Sequence, residues 1–446
     1  MPTSIPLWKL LLSLFWLSLG SFFFLLPGLQ LVRDLNDPAL RSGEIPRAAW
    51  RLHERLAAPY AQWAQDRLIA RKAQLNQEDV SGTEWPLFGS VFYLWSLESL
   101  QDAWTRNHAQ ATVAPAIYAR AAIDAAAALV TDPSQGAWVK QKWGPNYLHH
   151  QDLFYRFLLI SAMTSHVRLT GDPHYLDQLR DQVETLSAEI DASPHGLLED
   201  YPNECYPTDI VGALGAIHRA DQVLKTDHSA FIQRALRGFS PPLVDNHQLP
   251  PYASVASTGA IRQESRGCGD SFALIVAPEL WPATANAWYQ SYDSYFWQRR
   301  WGLVGFREFA KDTPASETFM DVDSGPVLYG FGFAASAFGT GAARVNGRMD
   351  QAAPLTAEML ASSWTLPTGV LLVPRTLSDG ADAPYLGEAG ILFCLTRQPI
   401  AGIKTAATSV MTPFVWGLLA IYLGLGLFFT RSFISLVITW CRAKSK

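Results

Sequence analysis

At 446 residues the chain is too long for one small domain and suits one large helical domain with anchors, or two domains. Apolar residues make up 49% and charged residues only 17%, which excludes disorder and leaves ample side chains for a core. The net charge of -5 and the lack of any long Lys/Arg run exclude nucleic acid as a partner.

The first element is Leu10–Val32 (LLLSLFWLSLGSFFFLLPGLQLV), a charge-free stretch preceded by Lys9 and long enough to cross a hydrocarbon core of about 30 Å. It ends in PGLQLVRDLND, with nothing like a small-residue cleavage site, so the reading is an uncleaved anchor over residues 1–32. Residues 46–72 follow, with Trp50, Leu52, Leu56, Tyr60, Trp63 and Leu68 at helical spacing, and read as a long amphipathic helix.

A recurring grammar then fills the domain, residues 33–404. A polar loop leads into a helix of small and aromatic residues, and a more amphipathic helix follows. The first kind includes TEWPLFGSVFYLWSLESL, LHHQDLFYRFLLISAM, YPNECYPTDIVGALGAI, SRGCGDSFALIVAPEL and MDVDSGPVLYGFGFAASAFGTGAA; PHYLDQLRDQVETLSAEI is of the second. Helices apolar nearly all round are buried and helices with one polar face lie outside. The expected fold class is therefore all-α, an (α/α)6-type toroid of inner and outer helices, with an irregular helical solenoid as the competing arrangement. Two β-prone pieces, Gly302–Phe309 and Gly369–Val373, are expected as small hairpins over one face.

The last element is a second charge-free stretch, Thr405–Thr430, followed by Arg431, Arg442, Lys444 and Lys446 and preceded by Lys404 alone. Residues 405–446 thus read as a transmembrane helix with a basic tail, and the positive-inside tendency puts both termini in the cytoplasm. The domain is then extracytoplasmic on the cell (inner) membrane, with the lipid bilayer as its first partner. Whether Ser432–Trp440 extends the span or lies along the interface is open.

Sixteen Trp allow two readings, core packing with membrane-interface belts or stacking platforms in a cleft. Cys441 lies beyond the last span, so Cys205, Cys268 and Cys394 leave an odd number in the domain and imply no disulfide framework. No CxxC and no HExxH occurs, and neither a metal nor a cofactor is expected.

The loops that open the inner helices all carry ionisable groups, and in a toroid they converge on one cavity. These are Glu84; His149, His150 and Asp152; Tyr201, Glu204, Cys205, Tyr206 and Asp209; Arg266, Cys268 and Asp270; Asp321 and Asp323. Taken singly, Asp270 and Asp323 suit an N-cap or first turn, and Asp209, two residues after Pro207, suits the helix dipole. With DYPNECYPTD at Asp200–Asp209 and the RGCGD and DVDSGP loops, the chain resembles the linalool dehydratase/isomerase-like domain, across roughly the whole extracytoplasmic region in helix order. It also shares the general pattern of α/α-toroid glycan-active enzymes. That dehydratase resemblance implies acid/base residues and cysteines in a cavity, with Cys205 and Cys268 in the thiol role, although the cysteine spacing around PNECYP departs from the family's.

The sequence reading is an enzyme that breaks or rearranges a C–O bond by acid/base catalysis on a glycan or glycolipid. The catalytic pair is expected among Asp209, Asp270 and Asp323, with Glu204 and His149 or His150 in support. Tyr201, Tyr206, Arg266, Glu84 and Asp321 are expected to bind substrate. The alternatives are a dehydratase/isomerase of a small terpenoid-like alcohol and a non-catalytic module that binds an envelope polymer or protein. The oligomeric state is open.

Overall fold

The computed structural model describes residues 6–71, 80–400 and 411–444. It is mostly helical, with three small antiparallel sheets and an apolar helix at each end. The N-terminal helix α1, Leu7–Leu35, passes through a π-helical turn at Ser21–Leu25. It extends three residues beyond the sequence-based boundary, to Leu35. The first amphipathic helix, α2, is Arg47–Ala70 and starts after Pro46.

Next come α3 (Glu84–Arg106), α4 (Arg120–Thr131), α5 (Leu153–Thr170), α6 (Leu176–Ala192) and α7 (Pro207–Leu224). The second half holds α8 (Gly267–Leu280), α9 (Pro282–Phe296), α10 (Phe333–Val345), α11 (Met349–Ser363) and α12 (Leu386–Thr396). Helix α13, Pro413–Lys444, closes the described chain.

Burial follows the composition of each helix. In α5 every residue from Leu153 to His166 is buried, because the sequence offers no polar face to water. In α6 burial falls at Leu179, Val183, Leu186 and Ile190, one stripe at three- and four-residue spacing. Helix α3 packs on α5, α5 on α7, α7 on α8, α8 on α10, α10 on α12, and α12 packs in turn on α3. The amphipathic helices lie against these: α4 on α3 and α5, α6 on α5 and α7, α9 on α8, α11 on α10. Close approach of α7 and α8 depends on glycine: a Cβ at Gly215 would lie 2.2 Å from Val276 Cγ1.

The hairpin expected at Gly302–Phe309 is present as β3 (Trp297–Arg300) paired with β4 (Leu303–Phe306). The one expected at Gly369–Val373 is not: a single bridge joins Thr365 to Leu371, and a helix starts at Leu372. The tight turn there uses Gly369 at φ 89°, and Pro374 suits the helical first turn that follows. Two further sheets pair β1 (Ala253–Ser254) with β2 (Ile261–Gln263), and β5 (Phe319–Asp321) with β6 (Gly325–Leu328) and β7 (Phe331–Gly332).

Both terminal helices are long and apolar enough to cross a membrane, and only 17% of each apolar window is buried in the protein. A core helix would show the reverse. They pack on each other at small residues, where a Cβ on Gly20 would meet Phe429 Cβ at 2.8 Å. They are also fixed to α11's end: Trp364 Nε1 donates to Phe23 O (2.7 Å) and Tyr422 Oη to Ala361 O (3.0 Å). Ser432–Trp440 continues α13 without a break, while the expected start at Thr405 lies outside the described residues.

Candidate functional site

The starts of α3, α7 and α8 meet. Glu84 opens α3, and Asp209 lies in the first turn of α7, which Pro207 begins. The RGCGD segment approaches that turn through Gly269, whose missing Cβ would sit 3.2 Å from Thr208 Oγ1. Gly267 packs so tightly on Arg307 that a Cβ would fall 1.9 Å from its carbonyl oxygen. These glycines let the α8 start press between α7 and the β-sheets.

Asp323 reaches the same place from another kind of element. It lies in the turn between β5 and β6, ten residues before α10, and is not the N-terminal acid of an inner helix. The DVDSGP segment turns because Gly325 takes φ 61° and Asp321 Oδ1 accepts from the Asp323 N–H (3.1 Å) and from the Ser324 N–H and hydroxyl (2.7 Å each). The Tyr252 hydroxyl donates to Asp323 Oδ2.

The electrostatics of these three carboxyls are linked. Burial raises Asp209 to about 8, with the charges of Asp323 and Glu84 adding to it. Burial also raises Glu84 to about 7; the Tyr201 hydroxyl opposes this and Asp323 reinforces it. Asp323 is raised by burial against the pull of Tyr252 and Arg266. Glu84 and Asp209 are half-buried and Asp323 is exposed, so the cluster is not in a sealed core. Asp209 makes no side-chain hydrogen bond to the described residues.

Around them stand Tyr206, whose hydroxyl donates to Glu204 Oε2 (3.0 Å), and Tyr252, edge-on to Tyr206 at 5.3 Å between ring centres. Lys142 Nζ lies 3.8 Å above the Tyr201 ring, and Glu204 and Glu84 hold its charge while burial lowers its pKa. Arg266 lies over Tyr252 and binds two acids, Glu308 (2.7 Å) and Asp321 (2.6 Å). Among the described residues no three His, Cys, Asp or Glu converge closely enough to hold a metal ion.

The sequence-based candidates divide. Glu84, Tyr201, Glu204, Tyr206, Asp209, Arg266, Asp321 and Asp323 come together here. Asp270 does not: it is 1% exposed, neither of its oxygens is hydrogen-bonded, and its charged neighbours are Asp245 and Glu308. Burial raises its pKa well above the ordinary carboxylate value, and its side chain caps nothing among the described residues. His149 and His150 are exposed and face Asp181 (2.9 Å) and Glu189 (3.5 Å), both on α6, because the loop before α5 runs outward over that helix. Asp152 is buried at the start of α5 with its pKa raised by burial.

Cys205 is 1% exposed, and burial with the nearby Asp200 and Asp209 pushes its thiol up. Cys268 donates to Glu308 Oε1 (3.0 Å) and is likewise raised by burial and by that carboxylate. Both are free, buried thiols whose ionisation burial disfavours. Sequence reasoning missed Tyr252, Lys142 and Glu308. Lys142 lies in a short helix, Ala137–Trp143, ahead of α5; Glu308 was visible as a lone acid two residues after the apolar strand β4. No protein-family model matches the chain, and no curated protein matches it in sequence.

Proposed function

We propose that the protein is a membrane-anchored α/α-toroid enzyme that cleaves or rearranges a C–O bond of an envelope glycan or glycolipid by acid/base catalysis. The observation that carries this reading is the meeting of Asp209, Glu84 and Asp323 in one cluster beside Tyr206 and Tyr252, with Asp209 unpaired among the described residues and raised to about 8. Like charges brought together in a half-buried site cannot all ionise, so protonated and ionised carboxyls coexist near pH 7. Asp209 is the acid that protonates the leaving oxygen, with Glu84 sharing its proton load. Asp323, with two donors near it, is the carboxylate that activates water or takes the proton. Tyr206, half-buried, supplies a face and a hydroxyl for a sugar, with the buried Tyr252 against it.

The toroid is supported by the order of helix packing, which passes through six helices and returns to α3. The membrane side is supported by the basic tail after the second apolar helix. Fusion of a cytoplasm-only reporter after Lys446, with an outside-only reporter near Asn246, tests it; reversed signals overturn it.

A second reading, a dehydratase/isomerase acting on a small terpenoid-like alcohol, draws on the contact of Cys268 with Glu308 beside Arg266. The deciding experiment incubates the purified full-length protein with envelope glycan and glycolipid fractions and reads products by mass spectrometry. Asp209→Asn and Asp323→Asn should each reduce turnover by about 10² to 10⁴ while the fold is retained. Full activity in both variants overturns both enzyme readings and leaves a polymer-binding module.

A further inference from the structure

A groove of about 250 Å³ lies where α1 meets α2 and α12, at the junction of the apolar helices and the domain. Its walls combine two kinds of side chain. Leu26, Leu29, Leu52 and Leu395 form an apolar side, and Arg33, Arg51 and Arg55 stand around the same space. Asp34 is the acid in that lining, and Arg51 and Gln30 already bind it. Arg55 donates to the carbonyl of Pro367 (2.8 Å), and neither Arg55 nor Arg33 has an acid partner among the described residues. The groove therefore keeps a surplus of positive charge beside an oily wall.

Its depth follows from the sequence. The charge-free stretch Leu10–Val32 spans roughly 35 Å as a helix, close to the thickness of a hydrocarbon core. Arg33 then stands at headgroup level, and Leu29 and Leu26 one and two turns inside. Leu26 and Leu29 are about half exposed, on the side where lipid chains run. The space holds a headgroup but not a whole lipid, whose chains would remain in the bilayer against those two leucines.

We infer that this groove binds an anionic phospholipid, with the phosphate between Arg33 and Arg55 and one chain along Leu26 and Leu29. Arginine suits the role because its planar fork takes phosphate oxygens in pairs. The site is separate from the acidic cluster. Helix α2 carries Arg55 at the groove and, about 18 Å further along, Arg67, which donates to Gly82 O just before Glu84. A lipid here fixes how the domain sits on the membrane without entering the reaction. The inference rests on the terminal helices being membrane-embedded, which alkaline carbonate extraction reports independently.

The test is native mass spectrometry and thermal unfolding of the full-length protein in detergent, titrated with dioleoyl-phosphatidylglycerol, dioleoyl-phosphatidylcholine or inorganic phosphate. Phosphatidylglycerol should be retained one to one and raise Tm, and the other two should not. Arg33→Gln/Arg55→Gln should weaken its binding on the order of twentyfold. Arg33→Gln alone, at an exposed position, should weaken it roughly fivefold without touching the fold. Equal retention of phosphatidylcholine, equal stabilisation by phosphate, or unchanged binding in folded variants overturns the assignment.

Discussion

The two ends of the buried helices carry opposite treatments of charge. Where α3 and α7 start, Glu84 and Asp209 stand with Asp323 of the β5–β6 turn; burial raises all three, and the charge of Asp323 adds to the rise of the other two. At the helices' far ends, charges are met by partners. Arg219 near the end of α7 grips Glu279 near the end of α8 through Nε and Nη2 (3.0–3.2 Å). Arg168 of α5 binds Glu98 (2.9 Å) and Asp102 (2.8 Å) of α3. Arg397, just past α12, donates to Trp95 O (2.8 Å) and Ser99 Oγ (2.6 Å). Burial pushes Glu279 up, yet Arg219 outweighs it and holds the acid below its ordinary value. Acids at helix starts and arginines at helix ends both suit the helix dipole, so the dipole does not explain the contrast. What differs is pairing: one end is built to be stable, and the other tolerates repulsion, as sites of proton transfer do.

The comparison breaks most visibly in stability. Arg397→Met should destabilise the protein by about 1–3 kcal/mol, because it removes a buried guanidinium that donates to Trp95 O, Ser99 Oγ and Phe393 O. Asp209→Asn should cost little or nothing at neutral pH, since no partner loses a bond. Urea or thermal unfolding followed by circular dichroism compares the two. An Asp209→Asn variant as unstable as Arg397→Met would mean that the acid is structural.

A finer test uses pH. Asp209 has a folded pKa raised from the usual carboxylate range to about 8, so the native state holds its proton where the unfolded chain has lost it. Its stability contribution is complete below about pH 4 and is lost as pH rises toward 8. Wild type should therefore lose stability over that window relative to Asp209→Asn, and by pH 9 the variant should be the more stable by about 1–2 kcal/mol. Partial solvent access to the carboxyl keeps the figure small. Activity should fall over the upper part of the window, as the proton needed for the leaving oxygen is lost. Parallel Tm curves for wild type and variant from pH 5 to 9 would remove Asp209 as the proton donor.

How much of this was legible depends on where each residue sits. Glu84 and Asp209 open helices with no polar face, and the grammar of loop then buried helix placed both. Asp323 was placed for the wrong reason: the apolar run after DVDSGP was read as helix from its start. Gly325 and Gly330 at positive φ, with Pro326 between them, make it a three-stranded sheet up to Phe333. Asp270 was misplaced because a helix start fixes height along the axis but not rotation about it. Tyr252 comes from a loop whose only regular contacts are short β-pairs, so nothing in its neighbours' spacing announced it. His149 and His150 show the reverse error, polar residues before an inner helix on a loop that runs outward.

The smallest expected effect separates the two chemistries just before α7. Cys205 is buried beside Asp200 and Asp209, and its thiol is raised well above the range in which a thiolate forms at neutral pH. A thiol held in that form packs as a small hydrophobe, so Cys205→Ala should cost about 1 kcal/mol in stability, for a small cavity, and leave turnover within about twofold. A dehydratase that uses Cys205 would instead lose turnover by about the 10² or more expected of a lost acid or base, with the fold intact. The alanine variant is preferred to serine because a buried hydroxyl without a partner would add its own penalty and blur the result. Measured on the same fractions as Asp209→Asn, the pair gives different patterns: a glycan enzyme fails only at the acid, and a dehydratase that uses Cys205 fails at both.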